Sequence, residues 1–144
     1  MNDDEFLRQF EAADLPEAAW HHREHLRVAY LYLRRHPFDD AMRRARAGIQ
    51  AVNAAQKIPE SIDRGYHETM TLGWMRLLQC ALAEFGPEEN SDAFLDKHSH
   101  LLARRALLFF YSCDRLMSAE AKARFIEPDL APLPHSRHKL QPVE

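Results

Sequence analysis

Apolar residues recur along the chain at the three- and four-residue spacing of amphipathic helices. The third predicted helix shows this most clearly, with its apolar residues at Phe38, Met42, Ala45, Ile49 and Val52. Side chains at this spacing share one face of a helix and can pack against a core. Because the second, fourth and penultimate predicted helices repeat the spacing, the sequence predicts an all-α protein.

Proline, glycine and capping residues divide this pattern into separate helices. Pro37 ends a second helix that starts near Asp14, since the residue before a proline is disfavoured in helical geometry. Gly65 precedes a fourth helix, and residues 102–116 carry a further helical stripe that includes Phe109 and is widened by Tyr111. We therefore expect a compact bundle of four main helices with additional short helices.

The composition changes after residue 126. Four of the eight prolines lie in residues 127–144, which favours extended structure over helix. We predict a single helical domain over residues 1–126, followed by an extended, proline-rich C-terminal strap and loose tail over residues 127–144. Leu130 and Leu133 are the expected anchors of the strap, because a polyproline-type segment repeats every three residues.

Length and charge exclude several classes of protein. A chain of 144 residues, 46% hydrophobic and 28% charged, matches one globular domain. A net charge of -3 gives no electrostatic basis for binding nucleic acid, and no apolar run is long enough to span a membrane. The acidic start, residues 1–5, is unlike a secretory signal, so we expect a cytoplasmic protein. The oligomeric state stays open.

Histidines stand at the start of two of the apolar stripes. His22 and His25 precede the stripe of the second helix, and His67 opens that of the fourth. His21 also shares a face with His25, so the sequence leaves open whether His21 or His22 faces inward. An imidazole at the end of an apolar stripe loses hydration unless it gains a partner. We therefore predict that His22, His25 and His67 converge on one point between helices.

Three converging imidazoles are typical of a site for a divalent transition metal such as zinc, iron or nickel. Glu68 or Glu24 would then be the catalytic group that orients a ligand or takes a proton from metal-bound water. Tyr66, Trp74 and Tyr111 would wall a pocket for a small-molecule substrate. These residues predict a small metal-binding protein, and an enzyme if a metal-bound water is activated.

The same histidines allow a non-catalytic alternative. In that interpretation they hydrogen-bond to carboxylates and carbonyls within a buried polar network, and the helical module acts through a protein partner. His98 and His100 flank a single serine and are too close to share a helical face. We expect both of them to be exposed.

Four sequence blocks stand out along the chain: Trp20-x-His22-x-x-His25-Leu26, Tyr66-His67-x-Thr69-x-Thr71, Tyr111-Ser112-x-x-x-Leu116-x-Ser118 and Glu127-Pro128-Asp129-Leu130-x-Pro132-Leu133-Pro134. They resemble the signature blocks of a family of small uncharacterised bacterial helical proteins. The resemblance spans most of the chain and implies no catalytic residue. A looser architectural likeness to DinB-type metal-binding bundles implies a divalent ion held by three histidines from separate helices.

Overall fold

The structure, a computed structural model, describes residues 1–135. Within them the chain is helical and has no strand beyond an isolated bridge between Ser61 and Arg64. The prediction of an all-α protein is confirmed. None of the helices in the described range is long and apolar enough to cross a bilayer. The helices are α1 (Asp3–Glu11), α2 (His22–Arg35), α3 (Phe38–Ala55), α4 (Glu68–Phe85), α5 (Ser91–Lys97), α6 (Cys113–Leu116) and α7 (Ala119–Ala123).

Helix α2 is the centre of the fold. It packs against α1, α3, α4 and α5, and every residue from Leu26 to Leu33 is buried. A helix covered on all sides needs apolar residues around its whole circumference. This stretch supplies them at every position except Arg27 and the two tyrosine hydroxyls.

Arg27 is accommodated by an ion pair and hydrogen bonds that we call the Arg27 cluster (Asp3, Arg27 and Ser91). The Arg27 side chain donates from Nη2 to Asp3 Oδ1 at 2.9 Å and from Nε to Ser91 Oγ at 3.0 Å. The Ser91 backbone N–H donates to Asp3 Oδ2 at 2.8 Å. The guanidinium also lies over the Phe6 ring, 4.3 Å from its centroid. The cluster therefore joins the first turns of α1 and α5 to α2.

Helix α2 begins later than the sequence predicts. A 3₁₀ turn at Glu17–Ala19 precedes it, and the helix starts at His22 rather than near Asp14. Trp20, between the two elements, is buried and donates its indole N–H to Asn53 Oδ1 at 2.9 Å. The backbone of Trp20, at φ -134° and ψ 79°, lies outside the helical region and separates the 3₁₀ turn from α2.

Residues 102–116 do not form the predicted helix. They contain a 3₁₀ turn at Ala106–Phe109 and the single-turn helix α6. Phe109, expected on the buried stripe, is 78% exposed, whereas Tyr111 is fully buried. A 3₁₀ turn has three residues per turn rather than 3.6, so it rotates side chains to different faces. The four longest helices are consequently α1 to α4.

Residues 127–135 form no helix and lie over the C-terminal part of the fold. Leu133 is buried and packs with Leu107 and Leu116. Leu130 is 58% exposed, so its predicted role as an anchor is wrong; its backbone N–H donates instead to the Phe110 carbonyl at 2.9 Å. The predicted loose tail falls on residues 136–144, outside the described range.

Candidate functional site

The predicted site histidines line one pocket between α2, α3 and α4. Its volume is about 380 Å³, and His21, His22, His25 and His67 all contribute to its wall. It lies where α2 and α4 begin, because His21 and His67 are the N-cap residues of these helices. We call this site the histidine pocket.

His25 is held by one ring nitrogen and by ring stacking. Its Nδ1 lies 2.7 Å from the His21 carbonyl oxygen, and its ring stacks on Trp20 with centroids 4.0 Å apart. A carbonyl only accepts, so Nδ1 carries the proton and the neutral ring leaves a lone pair on Nε2. Burial lowers the pKa of His25 and outweighs the opposing hydrogen bond to His21. The neutral form is therefore favoured at neutral pH.

His22 is fixed in the opposite tautomer. Its Nε2–H donates to the Leu102 carbonyl at 3.0 Å, so the lone pair of the neutral ring lies on Nδ1. The ring meets Trp74 edge-on, with centroids 4.7 Å apart. Two side-chain nitrogens in the described chain are both fully buried and without a hydrogen-bond partner, Nε of Arg76 and Nε2 of His98. The unbonded nitrogens of His22 and His25 are not among them, so both are accessible to solvent.

His67 has both ring nitrogens occupied. Its Nδ1 accepts the Met70 backbone N–H at 3.0 Å and so caps α4. Its Nε2–H donates to the Leu116 carbonyl at 2.8 Å. Burial lowers the pKa of His67, against a smaller opposing effect of the bond to Leu116. His67 is a structural tie between the start of α4 and the end of α6.

The predicted metal centre depends on three free nitrogens, and this arrangement offers two. Among residues 1–135 no group of three or more His, Cys, Asp or Glu side chains is placed to hold a metal ion. His67 does not fit as the third ligand, because coordination would break either its cap of α4 or its bond to Leu116. A divalent transition metal at His22, His25 and His67 stays a prediction.

The two predicted catalytic carboxylates lie outside the wall of the histidine pocket. Glu24 accepts the His21 backbone N–H at 2.9 Å, as the third helical residue does in a capping box. Glu68 binds Arg46 through two hydrogen bonds of 2.9 and 2.7 Å and accepts the Tyr66 hydroxyl at 2.5 Å. The bonds from Arg46 are the main cause of the lowered pKa of Glu68. Both carboxylates already serve the fold.

Of the three predicted aromatic walls, two line the pocket. Tyr66 and Trp74 belong to it. Tyr111 is buried instead in a separate hydrophobic cluster with Leu107 and Leu133, and donates its hydroxyl to the Ile126 carbonyl at 2.7 Å. The prediction for Tyr111 failed because it assumed a regular helix through residues 102–116.

One pocket residue, Arg104, has no signal in the sequence. It lies in the irregular segment before the second 3₁₀ turn, is exposed, and contributes to the pocket wall. Helical periodicity says nothing about a loop side chain that meets α2 and α4 only through the tertiary fold. Arg104 adds the one Lys or Arg side chain among those that line this pocket.

The expectation for His98 is wrong. It is 4% exposed, and its ring packs against Phe85 and Phe94 with centroids 4.8 and 4.6 Å away. Its position after α5 turns it into the core, whereas His100 is exposed as expected. Burial lowers the pKa of His98 and favours its neutral form.

Comparison of the chain with protein-family models, with curated proteins and with solved structures gives no match. The resemblance of its sequence blocks to a bacterial family therefore stays a prediction. The arguments on function that follow rest on the geometry of the histidine pocket.

Proposed function

We propose that the protein binds a small molecule in the histidine pocket. The observation that carries this proposal is a pair of open ring nitrogens, Nδ1 of His22 and Nε2 of His25. Neither has a hydrogen-bond partner among residues 1–135, although the other nitrogen of each ring is bonded. The volume of about 380 Å³ falls in the range of roughly 300–1,000 Å³ that is typical of ligand sites. A bound molecule would complete the hydrogen bonding of both rings.

The alternative of a purely structural polar network accounts for only part of this arrangement. The bonds from His22 to Leu102 and from His67 to Leu116 tie α2 and α4 to the last third of the described chain. These ties use one nitrogen of each ring, the cap of α4 uses the second nitrogen of His67, and the bond to the His21 carbonyl uses one nitrogen of His25. A ligand accounts for the remaining two nitrogens and for the space between the helices, which a network alone leaves unused.

The first prediction concerns a variant in which a larger side chain fills part of the histidine pocket. Ala29 is 4% exposed and contributes to the pocket wall, so Ala29→Leu places three more carbon atoms in the ligand's space. We expect small molecules that bind the wild type to bind this variant roughly tenfold or more weakly. Chemical shifts of the Trp74 indole and of the pocket histidines in an NMR fragment screen measure the effect.

Ala81→Leu is the matched control for this screen. Ala81 is a buried alanine on α4 that lines a separate, mostly apolar pocket near Phe85 and Phe109. The same enlargement there should leave binding to the histidine pocket unchanged. Fragment binding that survives Ala29→Leu, or that fails to shift the pocket resonances in the wild type, would refute the proposed function.

A metal ion is the second candidate occupant, and the two open nitrogens are the observation that favours it. His22 Nδ1 and His25 Nε2 would supply two of the three or four ligands that zinc, iron or nickel takes. The remaining ligands would come from water or from a bound molecule, because His67 is already bonded twice.

Zinc titration of tag-free protein tests this candidate. The expected result is about one ion per chain that is lost in His22→Ala and in His25→Ala. His67→Asn, which keeps a good capping residue at the start of α4, should retain the ion. Loss of zinc in a folded His67→Asn variant would instead support the three-histidine centre. If none of the four proteins binds zinc in the titration, a metal is excluded.

A further inference from the structure

We propose that the histidine pocket selects ligands rich in N–H donors, such as amines, amides, ureas and amidines. This inference rests on the proposed function and goes further by naming the chemical class. The inference follows from the hydrogen bonds of the polar side chains in the pocket. Several of them already donate their hydrogens within the protein and can only accept a hydrogen bond from a ligand.

The two histidines with an open nitrogen present acceptors. His22 uses its N–H on the Leu102 carbonyl, and His25 uses its N–H on the His21 carbonyl. A neutral imidazole has one donor and one acceptor, so each open nitrogen can only accept.

The hydroxyl groups of the pocket have also used their hydrogens. The Tyr66 hydroxyl donates to Glu68 Oε1 at 2.5 Å, and the Thr71 hydroxyl donates to the His67 carbonyl at 2.8 Å. Each hydroxyl has one hydrogen, so neither hydroxyl can donate to a ligand. His67 itself has no group left to offer.

Three pocket side chains keep an uncommitted N–H group. Arg104 and His21 are both exposed, and the indole N–H of Trp74 has no hydrogen-bond partner among residues 1–135. A ligand with its N–H groups against His22 and His25 can therefore place an acceptor or an acidic group toward Arg104. Aromatic surface from Trp74 and Tyr66 suits a planar body between the two ends.

A ligand without donors would meet this inner surface poorly. At His22 and His25 its acceptors would face the lone pairs of the imidazole nitrogens, and both sides would lose water without gaining a hydrogen bond. Two unmade hydrogen bonds of ordinary strength correspond to a loss of roughly tenfold or more in affinity. The measurable consequence is that the affinity of a ligand depends on its number of N–H donors.

The first measurement is the tautomer of each histidine in the ligand-free protein. Long-range ¹H–¹⁵N NMR at pH 7.5 should show Nε2–H for His22 and His67 and Nδ1–H for His25. A reversed tautomer at His22 or His25 would overturn the proposal, because that ring would then present a donor to the pocket.

The second measurement compares phenylurea, which has three N–H donors, with its fully N-methylated analogue, which has none. Phenylurea should shift the ¹⁵N signals of His22 Nδ1 and His25 Nε2 and bind roughly tenfold or more tightly than the analogue. His25→Phe keeps a ring against Trp20 and removes one acceptor, so it should reduce the affinity ratio between phenylurea and its methylated analogue. His22→Phe keeps a ring against Trp74 and is a second, independent variant with the same expected result.

The outcomes separate this inference from the proposed function. Equal binding of both probes in the pocket overturns the donor preference and leaves small-molecule binding intact. Tighter binding of the methylated analogue, or no shift from phenylurea while other fragments occupy the pocket, also overturns it. Probe binding that persists in Ala29→Leu places the probes elsewhere and contradicts the proposed function itself.

Discussion

Arg27→Ala is expected to lower the free energy of unfolding by about 3–5 kcal/mol, the cost of breaking a buried ion pair by removing one partner. The Arg27 and Asp3 side chains are 8% and 19% exposed, so the Asp3 carboxylate would lose its charge partner in a poorly hydrated place. The variant also removes the donor to Ser91 and the contact with the Phe6 ring. Urea denaturation at pH 7 measures the loss.

Two further variants isolate the ion pair from general effects of losing an arginine. Arg35 pairs with Asp4 at 3.5 Å on the surface, so Arg35→Ala should change stability by less than about 1 kcal/mol. Combining Arg27→Met with Asp3→Asn removes both charges and should cost less than Arg27→Ala alone. Equal, small losses from Arg27→Ala and Arg35→Ala would contradict this account of the Arg27 cluster.

The cluster also predicts an acid dependence. Burial raises the pKa of Asp3, but hydrogen bonds from Ser91 and Arg27 outweigh it, so the pKa lies below its usual value of 3.8. A carboxyl group with a lowered pKa stabilises the fold fully above its unfolded pKa, and loses this contribution as the pH falls through the folded pKa. The difference in stability between wild type and Arg27→Ala should therefore shrink below about pH 4.

Ending the chain after Ile126 is expected to lower the free energy of unfolding by about 2–4 kcal/mol. Roughly 2 kcal/mol comes from the loss of buried Leu133. The rest comes from hydrogen bonds of about 0.5–1.5 kcal/mol each, including Arg115 Nε to the Glu127 carbonyl at 2.6 Å and Ser112 N–H to Asp129 Oδ1 at 2.8 Å. Thermal and urea unfolding of the shortened protein measure the effect.

A chain that ends after His135 is the control, since it keeps every contact that the structure describes for residues 127–135. Two point variants then separate buried from exposed side chains within this segment. Leu133→Ala should cost about 2–3 kcal/mol, whereas Leu130→Ala, at a side chain that is 58% exposed, should cost less than about 0.5 kcal/mol. Unchanged stability in both the Ile126 truncation and Leu133→Ala would show that this segment does not hold the fold.

The sequence predicted the helices whose buried face follows from local spacing alone. Met42, Ala45, Ile49 and Val52 are buried on α3 as their spacing indicated. The spacing failed in residues 102–116, where 3₁₀ geometry exposes Phe109 and buries Tyr111. Local propensity cannot distinguish these turns from a helix, because the contacts that decide between them come from α4 and from residues 126–133.

The sequence predicted which histidines line the histidine pocket, but it did not predict their hydrogen bonds. Histidines at the start of two apolar stripes led to His22, His25 and His67, and all three line the pocket. The partners of His22 and His67 are the carbonyls of Leu102 and Leu116, 80 and 49 residues away. The spacing of residues in a helix says nothing about backbone carbonyls in distant irregular segments. The finding that both ring nitrogens of His67 are already bonded therefore required the folded structure.

These distant carbonyls also set an order of events during synthesis. A chain made from its N-terminus can pair α2 with α3 and α4 before residues 102–116 exist. At that stage His22 lacks the Leu102 carbonyl that fixes its tautomer, whereas His67 lacks only the Leu116 acceptor and still caps α4. The donor preference that we propose would therefore be complete only once Leu102 reaches His22. A nascent or proteolytically clipped chain that ends before Leu102 would lack the acceptor that fixes the His22 tautomer.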